Sequence, residues 1–164
     1  MSGQDHGGGE PVNARIFPIP PVVAALFLAA GIGLGWLVPL LNLPWPPPLG
    51  FLIAGGALMA LSLLLALPAL LEMIFAKTTF HPGHKADALV TSGVYRITRN
   101  PMYLSLTLLM AGLGLLSWNL WLVALAPALL LYFQERVVKR EETYLAARFG
   151  APYLAYKARV RRWL

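Results

Sequence analysis

The sequence predicts an all-α integral membrane protein, and three observations carry that prediction. Of its 164 residues, 58% are hydrophobic and 12% charged, with a mean hydropathy of +0.65. A soluble domain has about 45–50% apolar and about 25% charged residues. The apolar surplus is gathered into blocks. The 56 residues between Arg15 and Glu72 contain no Asp, Glu, Lys, Arg or His, and neither do the 35 from Asn100 to Gln134. The cations border these blocks: the net charge of +6 comes from +3 over residues 77–99 and +5 over residues 135–164, offset by the acidic N-terminus and Glu72. A soluble globule of this size has too much surface to hide two such blocks. A disordered chain would lack them.

Cysteine is absent, which excludes a disulfide framework, thiolate-ligated zinc, an iron–sulfur site and a thiol nucleophile. Lys and Arg that flank apolar blocks mark the cytoplasmic side of a membrane, so the basic balance points to lipid and not to nucleic acid.

Residues 1–15 are acidic and Gly-rich and are read as a mobile tail, not a signal peptide. Residues 16–76 hold the first two transmembrane helices. A helix needs about 20 apolar residues to cross a hydrocarbon core of roughly 30 Å, and two such spans fit, about Val22–Leu41 and about Leu49–Leu71. Between them the four prolines of Pro44-Trp-Pro-Pro-Pro48 forbid a continuous helix, and Trp45 suits the lipid–water interface. The second charge-free block divides at Ser117-Trp118-Asn119 into about Pro101–Leu116 and about Leu120–Gln134. Each half is short for a span, which predicts a tightly turned or tilted hairpin. Four spans put both termini on the cationic side, and hence in the cytoplasm of a bacterial-type cell membrane. Gly31, Gly33 and Gly35 follow no strand and precede no acidic partner, so they are not a dinucleotide fingerprint. Gly31-x-x-x-Gly35 reads as a close-packing helix face, and it is also a possible contact between copies. Pro68 is expected to kink the second span near its cationic end.

Residues 77–164 form the predicted functional core. Two segments hold nearly all its polar chemistry. The first, Lys77 to Tyr103, carries hydroxyls, His81, His84 and four cations, and it runs straight into the third span. Asn100-Pro101 reads as an N-cap followed by proline at the first helical position. That is either an ordinary cap or a seat for an anion at a helix N-terminus. The histidines flank Pro82-Gly83 with no third ligand nearby, so no metal site is expected; either can act as a proton acceptor. The second segment begins at Gln134. Arg136 and Arg140 lie one turn apart, which suits a solvated salt-bridge face. Gly150 and Pro152 end that helix. Tyr153, Tyr156, Val160 and Trp163 then alternate with Lys157, Arg159, Arg161 and Arg162, the pattern of an interfacial helix on anionic lipid.

Together these segments resemble the isoprenylcysteine carboxyl methyltransferase family and its phospholipid methyltransferase relatives. The matching residues are Leu89-Val-Thr-Ser-Gly-Val-Tyr95, Arg99-Asn-Pro-Met-Tyr103, Arg140-Glu-Glu-x-x-Leu145, Phe149-Gly150-x-x-Tyr153-x-x-Tyr156 and Arg159-Val160, in matching order across residues 77–164. The resemblance implies a pocket for S-adenosyl-L-methionine built from membrane helix ends and C-terminal amphipathic helices, without a Rossmann domain. It implies cofactor contacts at Leu89, Val90, Tyr95, Asn100, Pro101, Met102, Tyr103 and Glu141. Asn100 stands where eukaryotic members have His, and Val137 where they have an acceptor-binding Arg. Arg136 and Arg140 are therefore the candidates for holding the acceptor, with Arg140 and Glu141 in the catalytic role.

The reaction implied is an in-line methyl transfer from a sulfonium cation to a lipidated or apolar acceptor arriving through the bilayer. A carboxylate acceptor needs alignment and dehydration but no base. A phospholipid or other amine is the alternative, and it needs a base such as His81, His84 or Glu142. An alternative of another class is a non-catalytic membrane scaffold or lipid-binding module, which predicts no cofactor binding. The natural acceptor and the oligomeric state stay open.

Overall fold

The computed structural model describes residues 19–39, 46–76 and 88–164. The N-terminal tail, Trp45, His81 and His84 lie outside the described residues. The described chain folds into α1 (Pro20–Leu37), α2 (Leu49–Phe75), a 3-10 turn (Gly93–Arg96), α3 (Pro101–Leu116), α4 (Leu120–Tyr132), a π-helical turn (Phe133–Val138), α5 (Lys139–Phe149) and α6 (Ala151–Arg159). Pro20 opens α1, where its missing N–H costs nothing. Pro68 is accommodated inside the 27-residue α2 without ending it.

Three of these helices are long and apolar enough to cross a membrane: Pro20–Leu37, Leu49–Phe75 and the continuous rod Leu120–Phe149; α3 is apolar but has 16 residues. In the rod, α4 is free of charge and every charged side chain comes after it, from Glu135 onward. The apolar part of the rod is therefore α4, and its charged part begins in the π turn and continues through α5. Leu26, Trp36, Ile53, Leu64, Leu67 and Phe75 are all exposed, which in water would be a large unsatisfied apolar surface and in lipid is the ordinary exterior. The chain is an all-α integral membrane protein.

The helices assemble through close backbone approaches and a few internal hydrogen bonds. Helix α2 lies along α3, where a Cβ on Gly55 would come within 3.0 Å of the Gly112 carbonyl oxygen, and a Cβ on Gly112 equally close to that of Gly55. Nearby, Ser62 Oγ donates to the Ser105 carbonyl at 2.8 Å. Helix α1 rests on α4: a side chain on Gly31 would collide with Leu122, and a Cβ on Gly35 would lie 2.6 Å from Asn119 Nδ2. Gly31 and Gly35 thus form a packing face, but one used within the chain, so they are not available as a contact between copies.

The α3–α4 connection is Ser117-Trp118-Asn119, with Trp118 at φ +58°. Asn119 serves both sides of the turn. Its Oδ1 accepts from Trp121 N at 3.0 Å and its Nδ2 donates to the Gly31 carbonyl at 3.1 Å. The core runs from Val23 through Met110, Leu122, Ala126 and Leu129 to Tyr103 and Phe133 at the charged end.

Candidate active site

At the charged end of the bundle, where α2, α3 and α5 emerge, lies a cavity of about 110 Å³. Its walls come from four parts of the chain. Met73 of α2 and Ala88, Leu89 and Val90 of the following segment give an apolar side. Tyr95 and Arg99-Asn100-Pro101, with Tyr103, give the approach to α3 and its first turn. Val138, Glu141, Glu142 and Leu145 face it from the rod, and Tyr153 and Tyr156 close it from α6. Val137 and Val138 are both buried within the π turn, and such turns recur at functional sites.

Two adjacent carboxylates dominate the electrostatics. Glu142 is buried, its side chain 8% exposed, and receives three cations. Arg162 grips it with two hydrogen bonds, Nε to Oε1 at 2.8 Å and Nη2 to Oε2 at 2.9 Å. Arg99 Nη1 lies 3.1 Å from Oε1, and Lys157 Nζ lies 3.3 Å from Oε2. Burial works to raise the Glu142 pKa, but Arg162, Arg99 and Lys157 outweigh it and hold the carboxyl below its usual range. Glu141 is solvent-accessible as a residue, yet its carboxylate is turned to the cavity and accepts the Tyr103 hydroxyl at 2.9 Å. Desolvation by the surrounding protein, with repulsion from Glu142, pushes this carboxyl up despite the Tyr103 hydrogen bond.

The C-terminal residues complete the site as a strap across the start of α3. The Arg161 carbonyl accepts from Arg99 N at 3.0 Å. The Arg162 carbonyl accepts from Thr98 Oγ1 and from Asn100 Nδ2, each at 3.0 Å. Trp163 Nε1 donates to Gln134 Oε1 at 3.0 Å, pinning the strap to the rod. Tyr156 donates to the Tyr95 carbonyl at 2.7 Å, and burial pushes its hydroxyl pKa up to about 12. On the opposite side Ser92 Oγ donates to Glu72 Oε2, which ties the Leu89–Val90 wall to the end of α2. Gly93, at φ +52°, leaves room there that a Cβ would take from Glu72.

The profile of the phospholipid methyltransferase family matches residues 51–152, from α2 through the first residues of α6. The chain belongs to that family. It is also 44% identical over 68 residues to an uncharacterised protein of Haemophilus influenzae (strain KW20/Rd), a stretch that is 38% of this chain and the whole of the relative. No solved structure matches it significantly. Membership of a phospholipid methyltransferase family, with the apolar helices, makes this a membrane methyltransferase fold.

In this family member, the residues singled out by the resemblance fall into two groups. Leu89, Val90, Tyr95, Asn100, Pro101, Tyr103 and Glu141 line one cavity; Met102, Arg136 and Arg140 are not among its lining residues. Arg136 and Arg140 are exposed on the rod. Two local readings are corrected. Asn100 begins α3 but makes no side-chain cap; its Nδ2 donates instead to the Arg162 carbonyl. Tyr153 and Tyr156 do not lie on lipid; they are buried and turned to the cavity, leaving the cations of α6 outside. Sequence reasoning missed Met73, Val138 and the role of Arg99 in the Glu142 cluster. The one signal for the cluster was the count of four cations in the last eight residues, Lys157 to Leu164.

Proposed function

We propose that this protein is an S-adenosylmethionine-dependent membrane methyltransferase acting on a carboxylate of a lipidated or apolar acceptor that arrives through the bilayer. The observation that carries the reading is the Glu141 carboxylate, held by Tyr103 inside a cavity with apolar and aromatic walls and a polar side at Arg99, Asn100 and Glu142. That donor set suits the cofactor. A carboxylate with a free lone pair accepts hydrogen bonds from a ribose diol, tyrosine faces attract a cation, and apolar walls take a base and a thioether stem. When bound, S-adenosylmethionine supplies a methyl group on a cationic sulfur, so that the products are a methyl ester and a neutral thioether.

The chain's own residues divide the work. Tyr103 fixes the Glu141 carboxylate in direction, and Glu141 holds the hydroxyls. Met73, Leu89, Val90 and Leu145 exclude water from the reacting atoms, which strengthens every charge interaction among them. Arg136 and Arg140, exposed outside the lining, draw an anionic acceptor to the rim and do not touch the reacting atoms. The excess of cations at this end favours a carboxylate over an ammonium acceptor, and by the positive-inside rule this end faces the cytoplasm.

A second reading has a specific observation behind it. The raised Glu141 carboxyl is a better base than an ordinary one, and an amine acceptor, in keeping with the family's name, needs a base. The test is incubation of detergent-solubilised protein with methyl-labelled S-adenosylmethionine and a bacterial lipid extract. Label released as methanol by mild alkali is the expected result and identifies an ester. Alkali-stable label supports the amine reading, and no incorporation together with no binding of S-adenosylhomocysteine removes both.

A further inference from the structure

Arg99 is a buried cation that keeps an unsatisfied donor among the described residues. Its side chain is 9% exposed, so its charge has been taken out of water at a cost of several kcal/mol. Nη1 is engaged by Glu142 at 3.1 Å and reaches the Tyr153 hydroxyl at 3.4 Å. Nε is buried and finds no acceptor among the described residues. An orphaned donor on a buried cation is expensive. Glu142, which takes Nη1, is shared with the bidentate Arg162 and with Lys157. One carboxylate is thus shared by three cations, and the group with spare donor capacity is the one that lines the cavity. The strap reinforces this, since the Arg161 carbonyl fixes the Arg99 backbone and the Arg162 guanidinium occupies Glu142.

We propose that Arg99 is the binding residue for the carboxylate at the amino-acid end of S-adenosylmethionine, with Arg162 as the positioning residue that keeps the remaining donors of Arg99 available by occupying Glu142. The inference rests on the cofactor reading above and deepens it. A buried receptor beside the first turn of α3 suits a carboxylate enclosed with a small ligand; an acceptor arriving from the bilayer meets the exposed Arg136 and Arg140 first. No residue offered by the resemblance has this role. The arrangement also assigns a use to the strap, most of which lies beyond the residues that the family profile covers.

The test is calorimetric titration of the detergent-purified full chain with two ligands, S-adenosylhomocysteine and its decarboxylated analogue, which retains the amine and the nucleoside. A charge-assisted hydrogen bond to a buried cation corresponds to roughly tenfold to a hundredfold in affinity. The wild type is expected to prefer S-adenosylhomocysteine by that factor. In Arg99→Gln the preference falls to about twofold or less through weaker binding of S-adenosylhomocysteine alone. Arg99→Lys, which keeps the charge beside Glu142, guards against a folding defect and is expected to narrow the preference partly. Arg162→Gln leaves more of Glu142 to Arg99, tightening the existing pair, and narrows it too, whereas a merely structural role for Arg162 would weaken both ligands equally. Equal affinity of the two ligands for the wild type, or an undiminished preference in Arg99→Gln and Arg99→Lys, overturns the inference and leaves the cofactor reading standing. Failure of both ligands to bind the folded wild type overturns the two together.

Discussion

Glu141 and Glu142 are neighbours in sequence with opposite electrostatics, and that difference is measurable. The Glu141 carboxyl is raised in the folded protein. It therefore favours folding below its unfolded value, and that contribution disappears as pH rises through the folded one. If its ionised form holds the cofactor, affinity for S-adenosylhomocysteine drops on acidification with an apparent pKa above the ordinary carboxyl value of about 4.3. Glu141→Gln is expected to bind weakly with a flat pH profile over the same range, read by calorimetry between mildly acidic and neutral pH. Glu142 has the reverse sign. Its folded value is depressed, so its contribution is complete above the unfolded value and is lost as pH falls through the folded one. Glu142→Gln leaves Arg99, Arg162 and Lys157 facing one another and is expected to lose on the order of 3 kcal/mol. Thermal melting in a lipid-like detergent, compared with wild type at neutral pH, checks this. The sequence marked Glu141 through its match to a family motif. Glu142 lies in the same motif and was a candidate base, but its three partners could not be read, because they come from positions 99, 157 and 162 and meet it only in the fold.

At the scale of the element, the α2–α3 seam depends on missing side chains. Gly112 faces the Gly55 carbonyl oxygen and Met59, whereas Gly33 in α1 has nothing within 4 Å of where its Cβ would stand. Gly112→Val is expected to destabilise by about 1–3 kcal/mol through overpacking against backbone that cannot retreat. Gly33→Ala is expected to be neutral or slightly stabilising, because helix propensity favours Ala. Melting curves of the two variants side by side settle the contrast. The helices themselves were largely legible: charge-free blocks, the proline cluster before α2, Asn100-Pro101 and the Ser117–Asn119 turn set their limits within a few residues. Three things were not. The π turn has the same apolar spacing as the α-helix around it. The strap is too short for any periodicity. An apolar stripe of Tyr153 and Tyr156 flanked by cations fits a lipid surface and a protein pocket equally well until the pocket is seen.

For the whole molecule, the proposed topology places the Ser117–Asn119 turn on one side of the membrane and α5 with α6 on the other. The absence of cysteine makes this simple to check. Ser117→Cys and Thr143→Cys are both at exposed positions. In intact bacteria a membrane-impermeant maleimide is expected to label Ser117→Cys alone, and in inverted membrane vesicles Thr143→Cys alone. Labelling of both in one preparation would sink the sidedness while leaving the fold untouched.

The π turn between α4 and α5 carries a consequence of a different kind. A π turn is an α-helix with one residue inserted, and each residue of an α-helix advances the phase by about 100°. Were Phe133–Val138 to wind as an ordinary α-helix with all its residues kept, the tighter winding would add about one residue's worth of phase. Everything after it would then turn by more than a quarter of a revolution about its axis. Glu141 would leave Tyr103 and Glu142 would leave its cations, although every helix, every membrane contact and the whole composition would survive. The site is stored in this protein as an angular offset of one residue, so a change of winding there erases the chemistry while sparing the architecture.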